Sequence, residues 1–212
     1  MNAKDRPSYR WLLWGLALLG AALDQGTKYS VFHWLYNNGE GGQHVVIRDT
    51  FELLAQYGAE SPPSAQLLAP LRTGERMPRV NHGALFGLGG EHQHLANMLF
   101  AVISVVAAGA IAYWSLRRST ARDKPLCAAL GLILAGTLGN LYDRVVFHGV
   151  RDFLHWHYKE FEWPVFNLAD CCLVCGAFLL LAQALWSRSA AKPARLSTTN
   201  GAALSPEMAE AN

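Results

Sequence analysis

The sequence predicts an all-α membrane protein with four transmembrane helices and a small extracytoplasmic β platform in the first loop. Of its 212 residues, 51% are hydrophobic and only 16% are charged, which is more apolar than most soluble domains of this size. The apolar residues collect in four windows near the length of a bilayer span, about 20 residues, at 9–23 or slightly beyond, 95–116, 125–141 and 166–186. Four spans put both termini on one side of the membrane.

The placement of lysine and arginine predicts the orientation of these spans. Basic residues flank the first window on its N-terminal side, separate the second from the third, and follow the fourth: Lys4, Arg6, Arg10, Arg117, Arg118, Arg122, Lys124, Arg188, Lys192 and Arg195. Because short cytoplasmic loops are rich in Lys and Arg, these segments are expected on the cytoplasmic side. The net charge of +2 therefore reflects topology and does not indicate nucleic-acid binding.

The chain divides into three predicted regions. Residues 1–8 form a cytoplasmic N-terminus, 9–186 form the membrane domain, and 187–212 form a cytoplasmic tail whose Ala, Ser, Thr and Pro content is typical of disorder. The first loop, about 29–93, contains β-branched and aromatic runs at 44–48 and 51–54 that favour short strands. Its Pro- and Ser-containing stretch 57–79 is predicted to be an excursion from this platform or a surface loop.

Several polar residues cluster at the ends of the first and third windows, where ionisable groups are costly and often functional. Asp24 stands four residues before Lys28, so both lie on one helical face, as in a salt-bridged helix end at the membrane surface. Asn140 and Arg144 are also four apart, with Asp143 between them. This group either marks a helix exit at the lipid headgroups or points an amide and a guanidinium into a site.

Two further aspartates suggest acid and base chemistry. Asp170 lies in the first turn of the fourth window after Asn167. The simpler interpretation is that these two residues do no more than cap the helix. Capping does not require a second acid, yet Asp152 lies in the extracytoplasmic segment just upstream. Two carboxylates at one membrane surface can share a proton, activate water and protonate a leaving amine, as in aspartic proteases.

Other chemistries find no support in the sequence. The extracytoplasmic histidines do not have the His-Glu-x-x-His spacing of a metal site, so neither a metal nor another cofactor is expected. The four cysteines lie inside predicted spans, where they act as small apolar residues. Glycine-rich phosphate loops and Ser/His/Asp arrangements with a recognisable context are also missing from the sequence.

Five ordered blocks make the chain resemble lipoprotein signal peptidase, also called signal peptidase II. The blocks are Leu-Asp-Gln-Gly-Thr-Lys at 23–28, Asn-His-Gly-Ala-Leu-Phe-Gly at 81–87, Gly-Thr-Leu-Gly-Asn-Leu-Tyr-Asp-Arg-Val at 136–145, Val-Arg-Asp-Phe at 150–153 and Trp-Pro-Val-Phe-Asn-Leu-Ala-Asp at 163–170. The blocks occur in the order found in the family, and each lies at the position expected for the family relative to the four spans. The interval between Asp24 and Asn81 is longer than the family pattern, by about the 57–79 excursion.

The resemblance implies a role for each matching residue. Asp152 and Asp170 would be the catalytic dyad of an intramembrane-type aspartyl endopeptidase. The substrate backbone would be held by Asn140, Arg144 and Asn81. The pocket would be supported by Asp24, Lys28, Asp143 and Asn167.

The resemblance also implies a substrate and a location. The substrate would be a prolipoprotein whose Cys carries a diacylglyceryl group, cut just before that Cys without a metal. The cyclic peptide globomycin would inhibit the enzyme, and membrane lipid would surround it. We expect a monomer in the bacterial inner membrane, with both termini cytoplasmic and the active site near the extracytoplasmic surface.

Two alternatives from other classes stay open. A small transporter or proton-coupled channel would use Asp24, Asp143, Asp152 and Asp170 as an ion path. A non-catalytic membrane scaffold would use the polar helix ends as anchors and the large loop to bind a partner. The scaffold predicts that loss of Asp152 or Asp170 leaves function intact.

Overall fold

The computed structural model describes residues 7–58, 76–83 and 93–190, the last four by their backbone alone. Its regular elements, in chain order, are α1 Arg10–Trp34, β1 Gly42–Ile47, β2 Phe51–Ala55, α2 Gln93–Ser115, α3 Arg118–Ala121, α4 Lys124–Val146, β3 Leu154–Tyr158, β4 Phe161–Glu162 and α5 Leu168–Ala190. The predictions for residues 1–6, for most of the 57–79 excursion, for motif residues 84–87 and for the tail beyond 190 lie outside the described residues.

Helix α4 is the centre of the bundle and packs against α1, α2 and α5. It begins where the Asp123 carboxylate accepts a hydrogen bond of 3.0 Å from the Leu126 backbone N–H, with Pro125 in the first turn. Small residues let its neighbours approach closely. A side chain at Gly136 would collide with the Ala169 carbonyl of α5, and one at Gly131 would come within 2.7 Å of the Leu13 carbonyl of α1.

Three of the described helices are long and apolar enough to cross a bilayer: α2, α4 and the Leu168–Trp186 part of α5. Helix α1 is not among these three, although it has 25 residues. The first apolar window was expected to reach residue 23 or slightly beyond, and the helix itself continues to Trp34. The two charges pair with each other in the interior, so they do not end the helix.

The β platform is built from two separate parts of the chain. Its strands are antiparallel in the order β1-β2-β3-β4, and β2 pairs with β3 from Phe51 opposite Trp156 to Leu53 opposite Leu154. The expected strands of the first loop are β1 and β2. Strands β3 and β4 come instead from the connection between α4 and α5, so the prediction that the platform lies wholly in the first loop is wrong. The sheet therefore carries the connection that contains Asp152.

The outer surfaces of α2 and α5 are apolar and exposed. Val102, Val105 and Val106 of α2 and Phe178 and Leu181 of α5 are each more than half exposed. In contrast, α4 contributes many of the buried residues of the bundle. Exposed apolar helix surfaces of this extent are those of a protein surrounded by lipid.

Candidate active site

Asp152 lies in the short connection between α4 and β3, which is held from both sides. Before it, Val150 and Asn81 exchange two backbone hydrogen bonds of 2.7 and 2.8 Å. After it, the Phe153 N–H donates to the Phe166 carbonyl at 3.0 Å. The sheet-side residue Asn81 is thereby placed beside the acid, and its side-chain amide donates to Asp152 Oδ2 at 3.0 Å.

Asp170 lies in the first turn of α5, within a reciprocal cap. The Asn167 backbone N–H donates to Asp170 Oδ2 at 3.1 Å, and the Asp170 N–H donates to Asn167 Oδ1 at 3.1 Å. From α4, the Asn140 amide donates to Asp170 Oδ1 at 2.9 Å. The capping interpretation of Asp170 is thus confirmed, but the cap also aims its carboxylate at α4.

Asn167 connects the two acids. Its side-chain amide donates to Asp152 Oδ1 at 2.6 Å, while its backbone N–H is bonded to Asp170. The two carboxylates therefore share one asparagine, and they interact electrostatically. Two acids that interact in this way can divide one proton between them, as an acid–base pair does.

The environment of Asp152 favours its protonated form. Burial raises the pKa of Asp152 to about 6, and the charge of Asp170 acts in the same direction. The hydrogen bonds from Asn81 and Asn167 oppose the rise. Because burial is the largest of these effects, Asp152 can retain a proton closer to neutral pH than an ordinary aspartate does.

Arg144, in the last turn of α4, brings a positive charge to the pair. Its guanidinium interacts electrostatically with Asp170 and Asp152 and stacks 5.1 Å from the centre of the Phe100 ring. Its Nη1 donates to the Asn140 carbonyl at 3.2 Å. Its buried Nε has no hydrogen-bond partner within the described ranges.

Beneath the acids lies a fully buried cluster of charges from α1 and α4. Lys28 Nζ lies 2.9 Å from Asp24 Oδ2 and 3.2 Å from Asp143 Oδ2. Asp24 Oδ1 accepts the Ala169 backbone N–H of α5 at 2.9 Å. Lys28 also donates to Asn140 Oδ1 at 3.3 Å, which orients the amide that bonds Asp170. The cluster therefore joins three helices directly under the acid pair.

Two members of this cluster were not among the residues predicted from the sequence. Gln25 donates to Asp24 Oδ2 at 3.0 Å and Asp143 Oδ1 at 3.1 Å, and Arg151 forms an ion pair of 2.8 Å with Asp143. A signal was present, because Arg151 is a charged residue directly before Asp152 in a segment that is apolar on both sides, with Val150 before the pair and Phe153 after it. An arginine beside an aspartate is usually at the surface, however, and its buried partner comes from eight residues earlier in the chain.

An open cleft of about 300 Å³ leads to Asp152 from the platform side. It is lined by strand β2, by residues 79–81 and by Pro164 and Val165. Groups of three or more His, Cys, Asp and Glu side chains suited to a metal ion do not occur among the described residues. The two neighbouring histidines of the platform, His155 and His157, face each other with ring centres 5.3 Å apart and lie outside this cleft.

Comparison with known proteins decides the family. The profile described as signal peptidase (SPase) II matches residues 75–186, which include both acids, Asn81, Asn140 and Arg144. The chain belongs to the signal peptidase II family. As a member of that family it is a peptidase, and its apolar helices make it a membrane protein. The resemblance seen in the five sequence blocks is confirmed.

Curated signal peptidase II relatives align with most of this chain. The lipoprotein signal peptidase of Rhodopirellula baltica is 36% identical over 190 residues, covering 84% of this chain and 73% of the relative. That of Methylobacterium sp. is 33% identical over 186 residues, covering 85% and 93%. That of Francisella tularensis subsp. novicida is 32% identical over 184 residues, covering 86% and 96%.

Solved structures share the fold. One chain, described as a bacterial membrane enzyme, superposes with a TM-score of 0.66 at 21% identity and covers 90% of this chain and 98% of its own. A second, described in the same way, has a TM-score of 0.61 at 22% identity, covering 85% and 96%. The helices and platform described above are therefore the architecture of known bacterial membrane enzymes.

Proposed function

We propose that this protein is an aspartyl endopeptidase that removes signal peptides from diacylglyceryl-modified prolipoproteins by cutting just before the lipidated Cys. Its relatives carry the name lipoprotein signal peptidase, which supports the substrate class. The observation that carries the aspartyl mechanism is the asparagine shared by Asp152 and Asp170 in a largely apolar molecule. A carboxylate pair at such a position is expected to act chemically.

In the proposed mechanism the two acids exchange protons with water and substrate. The raised pKa of Asp152, about 6, favours it as the partner that holds the proton, and a bound substrate would bury it further. Asp170 takes a proton from water, whose oxygen attacks the scissile carbonyl carbon, while Asp152 gives its proton to the carbonyl oxygen. When the C–N bond breaks, Asp170 protonates the amine, and Asp152 recovers a proton from the intermediate.

The remaining predicted residues receive substrate-binding and supporting roles. Arg144 is the best supported substrate ligand, because its Nε is buried without a partner in the described segments and its charge faces the acids. Asn81 and Asn140 already donate to the carboxylates, so their role is to orient the acids as well as to line the site. Asp24, Lys28, Asp143 and Asn167 hold these groups from behind.

We further propose that α1 is the fourth span, which gives a multi-pass enzyme with both termini in the cytoplasm. The basic residues before α1 and between α2 and α4 support this orientation, since cytoplasmic loops are rich in Lys and Arg. The acids then lie near the extracytoplasmic surface of the bacterial inner membrane. We expect a monomer that is inhibited by globomycin and independent of added metal.

The transporter alternative is disfavoured by the pairing of its acids. Asp24 and Asp143 are fully buried and bonded to Lys28 and Arg151, so their charges are satisfied within the protein. An ion path needs groups that a passing ion can reach across the bilayer. These acids are grouped instead at one end of the bundle.

The test is cleavage of a diacylglyceryl-modified prolipoprotein by purified protein in detergent, with a chelator present. Asp152→Asn and Asp170→Asn should each lower kcat by about 10³-fold or more, because each removes a proton carrier. Asp49→Asn is the matched control, since Asp49 is exposed in the turn between β1 and β2, and it should cleave like wild type. Near-normal cleavage by either dyad variant would contradict the mechanism, and a folded wild type that cleaves nothing would contradict the function.

A further inference from the structure

Arg151 is the residue immediately before Asp152, yet its side chain turns away from the cleft into the protein. It is fully buried, at 0% exposure. Its Nη2 lies 2.8 Å from Asp143 Oδ1 and donates to Gln25 Oε1 at 2.8 Å, and its Nε donates to Asp143 Oδ2 at 3.3 Å. A guanidinium with two nitrogens on one carboxylate has little freedom to rotate.

The same carboxylate also holds the backbone of Arg151. The Arg151 N–H donates to Asp143 Oδ2 at 2.9 Å. Asp143 lies in the last turns of α4, so the peptide group just before Asp152 is tied to the central helix through both its backbone and its side chain. With Phe153 bonded to Phe166 on the other side, Asp152 is the one residue between two fixed points.

Two aromatic rings pack against the Arg151 guanidinium. The guanidinium carbon lies 3.9 Å from the centre of the Phe147 ring and 4.4 Å from that of Tyr29. Arg151 Nη1 makes no hydrogen bond to the part of the chain that is described, which fits a planar group packed against ring faces. A lysine ammonium could keep the charge at this place, but not the planar stacking or the paired hydrogen bonds.

The charge of Arg151 balances the cluster below the acids. At their formal charges, Asp24 and Asp143 contribute two negative charges and Lys28 and Arg151 two positive ones, and all four side chains are fully buried. Removal of Arg151 would leave one buried negative charge without its partner. Asp143 would then compete for Lys28, which also holds Asn140 toward Asp170.

We propose that Arg151 is a positioning residue that fixes the backbone from which Asp152 reaches Asn81, Asn167 and the cleft. This inference rests on the proposed function, in which Asp152 is one of the two reacting acids. Arg151 itself contacts the cluster and not the cleft, so it acts on the rate of the reaction and not on substrate affinity. Displacement of a reacting group by about 1 Å is enough to slow catalysis by about 10²-fold.

The test compares kcat and KM of wild type, Arg151→Met, Arg151→Lys and Arg48→Met on the same lipid-modified prolipoprotein. The kcat of each variant is divided by its folded fraction, taken from thermal unfolding. A residue that affects only stability would leave this corrected kcat unchanged. Arg151→Met should lower kcat by about 10- to 100-fold with KM within about threefold of wild type. The kcat of Arg151→Lys should lie between those of wild type and Arg151→Met. Arg48 is exposed in the β1–β2 turn, so Arg48→Met should have the kcat of wild type.

The possible outcomes separate this inference from the proposed function. A lowered kcat at unchanged KM, partly rescued by Lys, supports the positioning role. If Arg151→Met does not fold, Arg151→Lys decides: a lowered kcat per folded enzyme supports the role, and wild-type kcat overturns it. A raised KM at unchanged kcat also overturns it. A wild type that does not cleave overturns both proposals, whereas a cleaving wild type with unaffected Arg151 variants overturns this one alone.

Discussion

Burial and hydrogen bonding act in opposite directions on the protonation of Asp152. Burial, helped by the neighbouring charge of Asp170, raises the pKa of Asp152 to about 6, while the amides of Asn81 and Asn167 oppose the rise. The folded protein therefore favours the protonated acid more than the unfolded chain does. The stability that this preference contributes is fully present below the ordinary pKa of 3.8 and is lost as the pH rises through about 6.

This preference predicts a pH-dependent effect of Asp152→Asn on stability. The amide cannot ionise, so the variant avoids the loss that wild type suffers between about pH 4 and pH 7. The melting temperature of the variant minus that of wild type should rise by a few degrees over this range. Tryptophan fluorescence in detergent measures it, with the exposed Asp49→Asn as control. A melting-temperature difference that stays constant with pH would show that burial does not shift the pKa of Asp152.

At the scale of elements, the site depends on the close approach of α4 and α5. A side chain at Gly136 would collide with the Ala169 carbonyl. Ala169, the residue before Asp170, donates its backbone N–H to Asp24. Gly136→Val should force the two helices apart, lower stability by about 1–3 kcal/mol and lower cleavage at least tenfold. Thermal unfolding and the cleavage assay measure these effects.

The matched control for this packing prediction is Gly109→Val on α2. A side chain at Gly109 meets no atom within 4 Å, so the same β-branched residue enters a helix without a steric conflict. This variant should stay close to wild type in both assays. Equal damage from both substitutions would mean that the effect comes from helix propensity and not from the contact between α4 and α5.

The helices of the fold follow from the sequence more fully than its sheet does. Apolar windows predicted α2, α4 and α5 because bilayer spans are continuous in sequence. The apolar window that predicted α1 is shorter than the helix, because Asp24 and Lys28 interrupt the apolar run although both are buried within the helix. Strand β3 has five residues and pairs with β2 from about a hundred positions earlier, a contact that no local pattern reveals.

The residues proposed to form the site were named from the sequence where they stand in family motifs, and their roles remain predictions. Asp152 and Asp170 stand in recognisable blocks, and the structure joins them through Asn167. The hydrogen bonds of Gln25 and Arg151 to Asp143 were not predicted, because they depend on the path of the turn after α4. The two proposed acids have a sequence signature, whereas the residues packed behind them are identified only by their contacts.

The whole molecule has two distinct surfaces that suit a reaction on a lipid-bearing peptide. Its flanks are the exposed apolar faces of α2 and α5, and its polar groups converge at one end, where α4, the start of α5 and the sheet meet. In the proposed function, a substrate acyl chain stays in lipid while its peptide bond meets the two acids. This arrangement fits an acid pair that works within a membrane bundle.

The most direct measurement of the central claim is the single-turnover cleavage rate of the double variant Asp152→Asn/Asp170→Asn beside the two single variants. If the two aspartates work as one unit, removal of either abolishes the reaction, and the double variant should be no slower than the slower single variant. If each single variant keeps a measurable rate and the two losses multiply in the double variant, the acids act independently. That result would contradict the dyad.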